Sequence, residues 1–306
     1  MSQGRMASGN DSSVTEFIVL GLTQQPELQL PLFFVFLGIY VVTVVGNIGL
    51  LILIGLNSHL HTPMYYFLFN LFFIDDCYSS VITPKMLMSF AKQIISYAEH
   101  MAQLYFFSFF VIDECCILTS MAYDRYVAIC MPLLYKVTMS KQDCLILLVG
   151  AYEMGFVGAM AHTICMLKLI FCDGNIINYY MCDISPLLQL SCTSTYSNEL
   201  VVFIVVGINV VVPSLTIAIS YTLILSDILC IRSTVSRSKA FSTCSSHIIV
   251  VSLFFGSSAF MYLKPSPAGS LDQDKVFTVF YTIIGRMMNP FIYSLRNKDV
   301  QIALRL

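Results

Sequence analysis

Asp75, Asp76, Asp113, Glu114, Asp124, Arg125, Glu153 and Arg286 interrupt stretches that are otherwise strongly apolar. Ionisable groups in such surroundings are costly and usually carry function. Asp75 and Glu114 have the chemistry to converge on one cation, to take part in a proton relay with Arg286, or simply to hydrogen-bond a neighbouring helix. Asp76 and Asp113 stand about 100° round their helices from these two. Only one of each adjacent pair can face a given point, so some of the four must be protonated or paired. Asp124 and Arg125 are adjacent and can form a local ion pair. No nucleophile has a base set beside it, and no Cys/His cluster has zinc spacing. Enzyme chemistry and metal binding are therefore set aside, and no cofactor is expected.

The eleven cysteines divide by position. Cys77, Cys115, Cys116, Cys130, Cys144, Cys165, Cys230 and Cys244 lie in or beside apolar runs, where cysteine behaves as a small hydrophobe. Cys172, Cys182 and Cys192 share one polar stretch at ten-residue intervals.

The elements that position these groups follow from the composition. In 306 residues, lysine plus arginine is 16 and aspartate plus glutamate 18, so 11% of the chain is charged and 57% is apolar. Soluble domains carry about 25% charge. With a mean hydropathy of +0.79, the chain reads as an integral membrane protein. A net charge of -2 points to no polyanionic partner, and nucleic acid is excluded. The first residues, MSQGRMASGNDSSVTEF, hold no apolar core of a cleaved signal peptide, so the first span directs insertion.

A bilayer core about 30 Å thick needs about 20 helical residues per crossing. Leu28 to Ser58 and Leu200 to Ser226 carry no charge, and Ala240 to Leu263 carries only His247. With the more polar stretches between them, the runs predict seven spans at about residues 30–56, 63–90, 101–129, 144–167, 199–229, 240–263 and 275–295. Residues 1–27 then form an N-terminal segment, 28–296 the transmembrane domain and 297–306 a short tail. The runs are too long for membrane-barrel strands, so the fold class is an all-α seven-helix bundle. Basic residues set its orientation. One set of loops holds eight of them, including Lys136, Lys141, Arg237 and Lys239, and the opposite set holds six. The sequon at Asn10 agrees in placing the N-terminus outside and the C-terminus inside.

Several motifs are long and specific: TEFIVLGLT (15–23), LHTPMYYFL (60–68), MAYDRYVAICMPLLY (121–135), SYTLIL (220–225), KAFSTCSSH (239–247) and NPFIYSLRNKDV (289–300). On these the chain resembles the olfactory receptors of the rhodopsin-like, G-protein-coupled class. The absence of tryptophan fits that branch. The resemblance implies a multi-pass plasma-membrane receptor. An odorant binds among the outer halves of the helices and promotes nucleotide exchange on a stimulatory heterotrimeric G protein, raising cAMP. It implies an odorant pocket at Leu104, Phe107, Ser108, Val111 and Ile112 in the third helix, and at Val205 and Asn209 in the fifth. The sixth helix contributes Phe255, Ser258, Ala259 and Tyr262, and the seventh Val279. That lining suits a small, mostly apolar molecule. Coupling falls to Asp124, Arg125, Tyr126, Tyr221, Arg237, Lys239, Asn289, Pro290 and Tyr293. Membrane lipid is the remaining partner.

Three departures from the family's pattern carry expectations. His100 stands where relatives usually have a cysteine, so Cys182 is expected to lack its partner while Cys172 pairs with Cys192. Phe255 replaces a usual tyrosine at the pocket floor. Arg286 replaces a usual proline. It is expected to sit as a fixed cation between Asp75 and Glu114, where related receptors hold sodium, and to over-stabilise the resting state. Covalent retinal is not expected, because Lys275 lies at the outer boundary.

Overall fold

The computed structural model describes residues 16–19, 21–23, 25–90, 94–169, 176–177, 188, 191–192, 195–231, 233–263 and 278–304. Helix α1 spans Pro26–Leu56, α2 Pro63–Ser89, α3 Tyr97–Cys130 and α5 Lys141–Leu167, with a short α4 at Tyr135–Thr138. The fifth rod is α6, Tyr196–Val206, then a π turn at Gly207–Val211, then α7, Val212–Cys230. The sixth is α8, Thr234–Leu263. The seventh opens with a π turn at Phe280–Ile284, continues as α9, Gly285–Arg296, and is followed by α10, Lys298–Ala303.

Local chemistry sets these boundaries. Pro26 and Pro63 stand in first turns, where the missing N–H costs nothing. Helices α3 and α5 open on capping boxes, Ser96 with Glu99 and Ser140 with Asp143, each satisfying two orphan backbone donors. These caps start α3 four residues earlier than the apolar run suggested and α5 three residues earlier.

Among the described residues, five of the rods are long and apolar enough by themselves to cross a membrane. In the second and seventh, Asp75, Asp76 and Arg286 dilute the apolar windows. The bundle is inverted relative to a soluble one. Val45, Leu215 and Ile219 lie exposed on its outside, whereas Asn47, Asp75, Glu114 and Arg286 are buried within. Helix α3 is the hub, packing on α2, α5 and α7, and α1 closes against α2 and α9.

A small sheet caps the end bearing the N-terminus, here termed the outer end. Strand β1, Glu16–Val19, pairs antiparallel with β2, Ile94–Ser96, and parallel with β3, Ile176–Ile177. Strands of four, three and two residues are too short for period-2 alternation to register, so the sequence pattern held no sign of them. Phe17 on β1 is fully buried, its ring 5.1 Å from the His100 imidazole and 6.0 Å from Tyr97.

Candidate functional site

Midway along the bundle, Arg286 reaches from α9 into the core and is 1% exposed. Its Nη2 donates to Glu114 Oε2 on α3 at 2.6 Å, and its Nη1 donates to the Thr282 carbonyl at 3.1 Å. Nε lies 3.9 Å from Asp75 Oδ1 on α2. The guanidinium also stacks over the Tyr78 ring, 3.4 Å from its centroid, a cation–π contact strengthened by desolvation. One turn further along α9, Asn289 Nδ2 donates to Asp75 Oδ2 at 2.8 Å. Asp75, Tyr78, Glu114, Arg286 and Asn289 thus tie the second, third and seventh rods together. Sodium does not fit here, because the carboxylates that would ligate it are met by a tethered guanidinium. Tyr78 was not singled out from the sequence, although it stands one turn from Asp75 on the same face.

Asp113 and Asp76 behave differently. Both Asp113 carboxylate oxygens and Asp76 Oδ1 are buried without a hydrogen-bond partner among the described residues. Asp113 faces α5 at Gly155, where an added Cβ would collide with its carboxyl. Close by, Tyr152 on α5 donates to Asn70 Oδ1 of α2 at 3.0 Å.

At the inner end of α3, Arg125 donates to Asp124 Oδ2 at 3.0 Å, and Tyr135 Oη donates to Asp124 Oδ1 at 2.9 Å. Burial first, then the Asp124 carboxylate, pushes the Tyr135 phenol well up, so it stays protonated as a donor. Tyr135 closes a pair that MAYDRY alone left open on one side, and no spacing signal pointed to it. Tyr126 is half-buried and Arg237 exposed. The Tyr221 hydroxyl meets His247 Nδ1, joining the fifth and sixth rods. Tyr293 is buried against Phe72, edge to face at 5.8 Å, and Pro290 packs on α1, where a Cβ at Gly46 would touch it at 3.4 Å. The Lys239 side chain lies outside the described residues.

In the outer half, Leu104, Phe107, Ser108, Ile112, Asn209, Ser258 and Val279 are buried, and Val111, Val205 and Phe255 are half-buried. Ile112, Val205 and Asn209 converge on Gly158 of α5, with side-chain atoms 2.5, 3.6 and 3.8 Å from the position of an added Cβ. Asn209 Nδ2 donates to the Val205 carbonyl at 2.9 Å, and its Oδ1 has no partner among the described residues. Ser258 Oγ is already committed to the Phe254 carbonyl at 2.7 Å. The side chains of Ala259 and Tyr262 lie outside the described residues, as do Asn10 and Cys172. Cys192 is disulfide-bonded.

This arrangement matches known proteins in sequence and in fold. A family model described as olfactory receptor matches residues 36–305. Olfactory receptor 8B3 of Mus musculus is 69% identical over 302 residues, covering 98% of this chain and 95% of that one. Olfactory receptor 8B8 of Homo sapiens is 68% identical, covering 98% and 97%. In structure, squid rhodopsin superposes with a TM-score of 0.72 at 19% identity, covering 92% of this chain and 85% of that one. The likeness to rhodopsin carries the seven-helix fold. With sequence identity of this extent, the chain belongs to the olfactory receptor family: a multi-pass plasma-membrane receptor of the G-protein-coupled class, not an enzyme.

Proposed function

We propose that this chain detects small, mostly apolar organic molecules that carry one hydrogen-bond donor. It signals through a stimulatory heterotrimeric G protein to raise cAMP. The N-terminus faces outward, and the inner cluster of Asp124, Arg125 and Tyr135 faces the G protein. The observation that carries the ligand reading is the free Oδ1 of Asn209, a buried acceptor beside Val205 and Ile112. A buried acceptor left unmet costs about 1–3 kcal/mol, and a hydroxylated odorant recovers that cost on binding. Ligand binding at this level acts by differential affinity for two packings of the bundle. Loss of the Asp124–Arg125–Tyr135 contacts would free Arg125 to meet the G protein.

Within this reading Arg286 is a resting-state clamp, holding Glu114 and Asp75 in one arrangement. Cys172 is assigned as the partner of Cys192, and Asn10 as the glycosylated residue.

Transfected cells challenged with chain-matched alcohols, ethers and alkanes test the proposal with a cAMP readout. Alcohols should be favoured about 5- to 150-fold, corresponding to about 1–3 kcal/mol, and Asn209→Leu should erase the preference while leaving alkane responses. An unchanged ranking in Asn209→Leu would remove this residue from recognition. Ligand-evoked current without cAMP would point instead to a transporter using Asp75, Glu114 and Arg286.

A further inference from the structure

We infer that strand β1 is a non-covalent staple, tying the outer loop between α5 and α6 to the start of α3. It does so where the family pattern places a disulfide and this chain has His100. The sheet order carries the inference. It runs β2-β1-β3, so the loop strand and the strand leading into α3 each pair with β1 and not with each other. Strand β2 runs directly into α3, because Ser96 is both its last residue and the cap of that helix. On the other edge of β1, Ile176 and Ile177 of the loop pair with it in parallel.

The two edges of β1 are held differently. Toward α3 three residues pair, Glu16 with Ser96, Phe17 with Ile95 and Ile18 with Ile94. Phe17 is fully buried, with its ring against those of His100 and Tyr97. Neither ring nitrogen of His100 has a hydrogen-bond partner among the described residues, so the imidazole serves here as a packing surface for Phe17. Glu99, which completes the Ser96 cap, also accepts from Lys85 of α2 at 3.2 Å. Past the strand, Gly21 turns the chain at a φ of 73° against Ser89, at the outer end of α2. Only glycine adopts that conformation at no steric cost. Strand β1 is thus anchored to the second and third rods.

Toward the loop the hold is weaker. Two residues pair there, Ile18 with Ile176 and Val19 with Ile177, and a parallel ladder is the less stable kind. Ile18 belongs to both ladders, with Ile94 on one side and Ile176 on the other. The connection from loop to helix runs through this residue. A disulfide would fix the loop permanently, whereas a ladder this short opens and closes locally while the bundle stays folded. Attachment of the loop is therefore an equilibrium, and residues of the N-terminal segment set it.

Hydrogen exchange on the purified full-length chain tests the staple. Ile18→Pro removes a backbone donor and cannot continue a central strand. Exchange at residues 176–177 should then accelerate about five- to a hundredfold, while the amides of α3 from Leu104 onward keep their protection. Phe17→Ala introduces no proline and only empties the ring's place against His100, so it should give a smaller acceleration at the same residues. In cells, Ile18→Pro should lower the surface level. Adding His100→Cys should restore it, because a bond to Cys182 then makes the connection covalently. Exchange at 176–177 unmoved by both changes would overturn the inference. So would equal acceleration throughout α3 in both variants, which would mark a loosened bundle, or a surface level that His100→Cys leaves uncorrected.

Discussion

With one side chain Arg286 hydrogen-bonds the Glu114 carboxylate, forms a longer ion pair with Asp75 and stacks on an aromatic face. Removing one partner of such a buried pair leaves the other charge uncompensated, at about 3–5 kcal/mol. Arg286→Met is therefore expected to lower the melting temperature of the purified receptor by several degrees, and adding Glu114→Gln should recover most of the loss. A melting curve unmoved by the first change, or not rescued by the second, would show that charge pairing is not what the arginine contributes. Arg286→Pro, the residue usual in the family, should make the agonist response sensitive to exchanging sodium for a large organic cation. The unaltered chain should be insensitive, because its cation is covalently tethered. At the inner end, Tyr135→Phe removes a hydrogen bond to a charged acceptor, worth about 1.5–3 kcal/mol. Ligand-free cAMP at matched surface density should then rise; no change would mean that Tyr135 does not restrain Arg125.

Among the elements, the tightest contact is that of α3 with α5, where Gly155 admits the Asp113 carboxyl. Gly155→Ala should cost about 1–3 kcal/mol by overpacking, measured as lost thermal stability, and Asp113→Ser in the same chain should relieve it. If the double variant is no better than the single one, the crowding lies elsewhere. The long helices were legible because their apolar runs of about 20 residues are a strong signal. Their starts were less so, since the capping boxes at Ser96 and Ser140 lie outside the apolar runs that marked the spans. The three-stranded cap over His100 was not legible at all. Its pairing joins residues 16–18, 94–96 and 176–177, and long-range pairing of such short segments leaves no local periodicity to read.

For the molecule as a whole, family and fold were legible because MAYDRYVAIC and KAFSTCSSH are long, specific strings, and sequence relatives match across nearly the whole chain. The site was legible only in part. Asp75, Glu114 and Arg286 announced themselves as charges in apolar runs, and His247 as the one basic group of its run, whereas the contacts of Tyr78 and Tyr135 emerge only when the fold brings them together. Rotation about the fifth rod was not legible either. Val205, Asn209, Pro213 and Ile217 follow one another at intervals of four on its inward side. On a straight α-helix each such interval overshoots a full turn by about 40°, so three would swing the face about 120° round. The π turn at Gly207–Val211 absorbs an extra residue and takes up part of that swing. It works as a phase adjuster between two half-rods. Changing this turn alone would re-clock Val205 and its neighbours on the outer half, while Tyr221 and Ile224 keep their bearing on the inner half. On the proposed reading, a change in this turn would alter odorant preference without retuning the inner face assigned to the G protein.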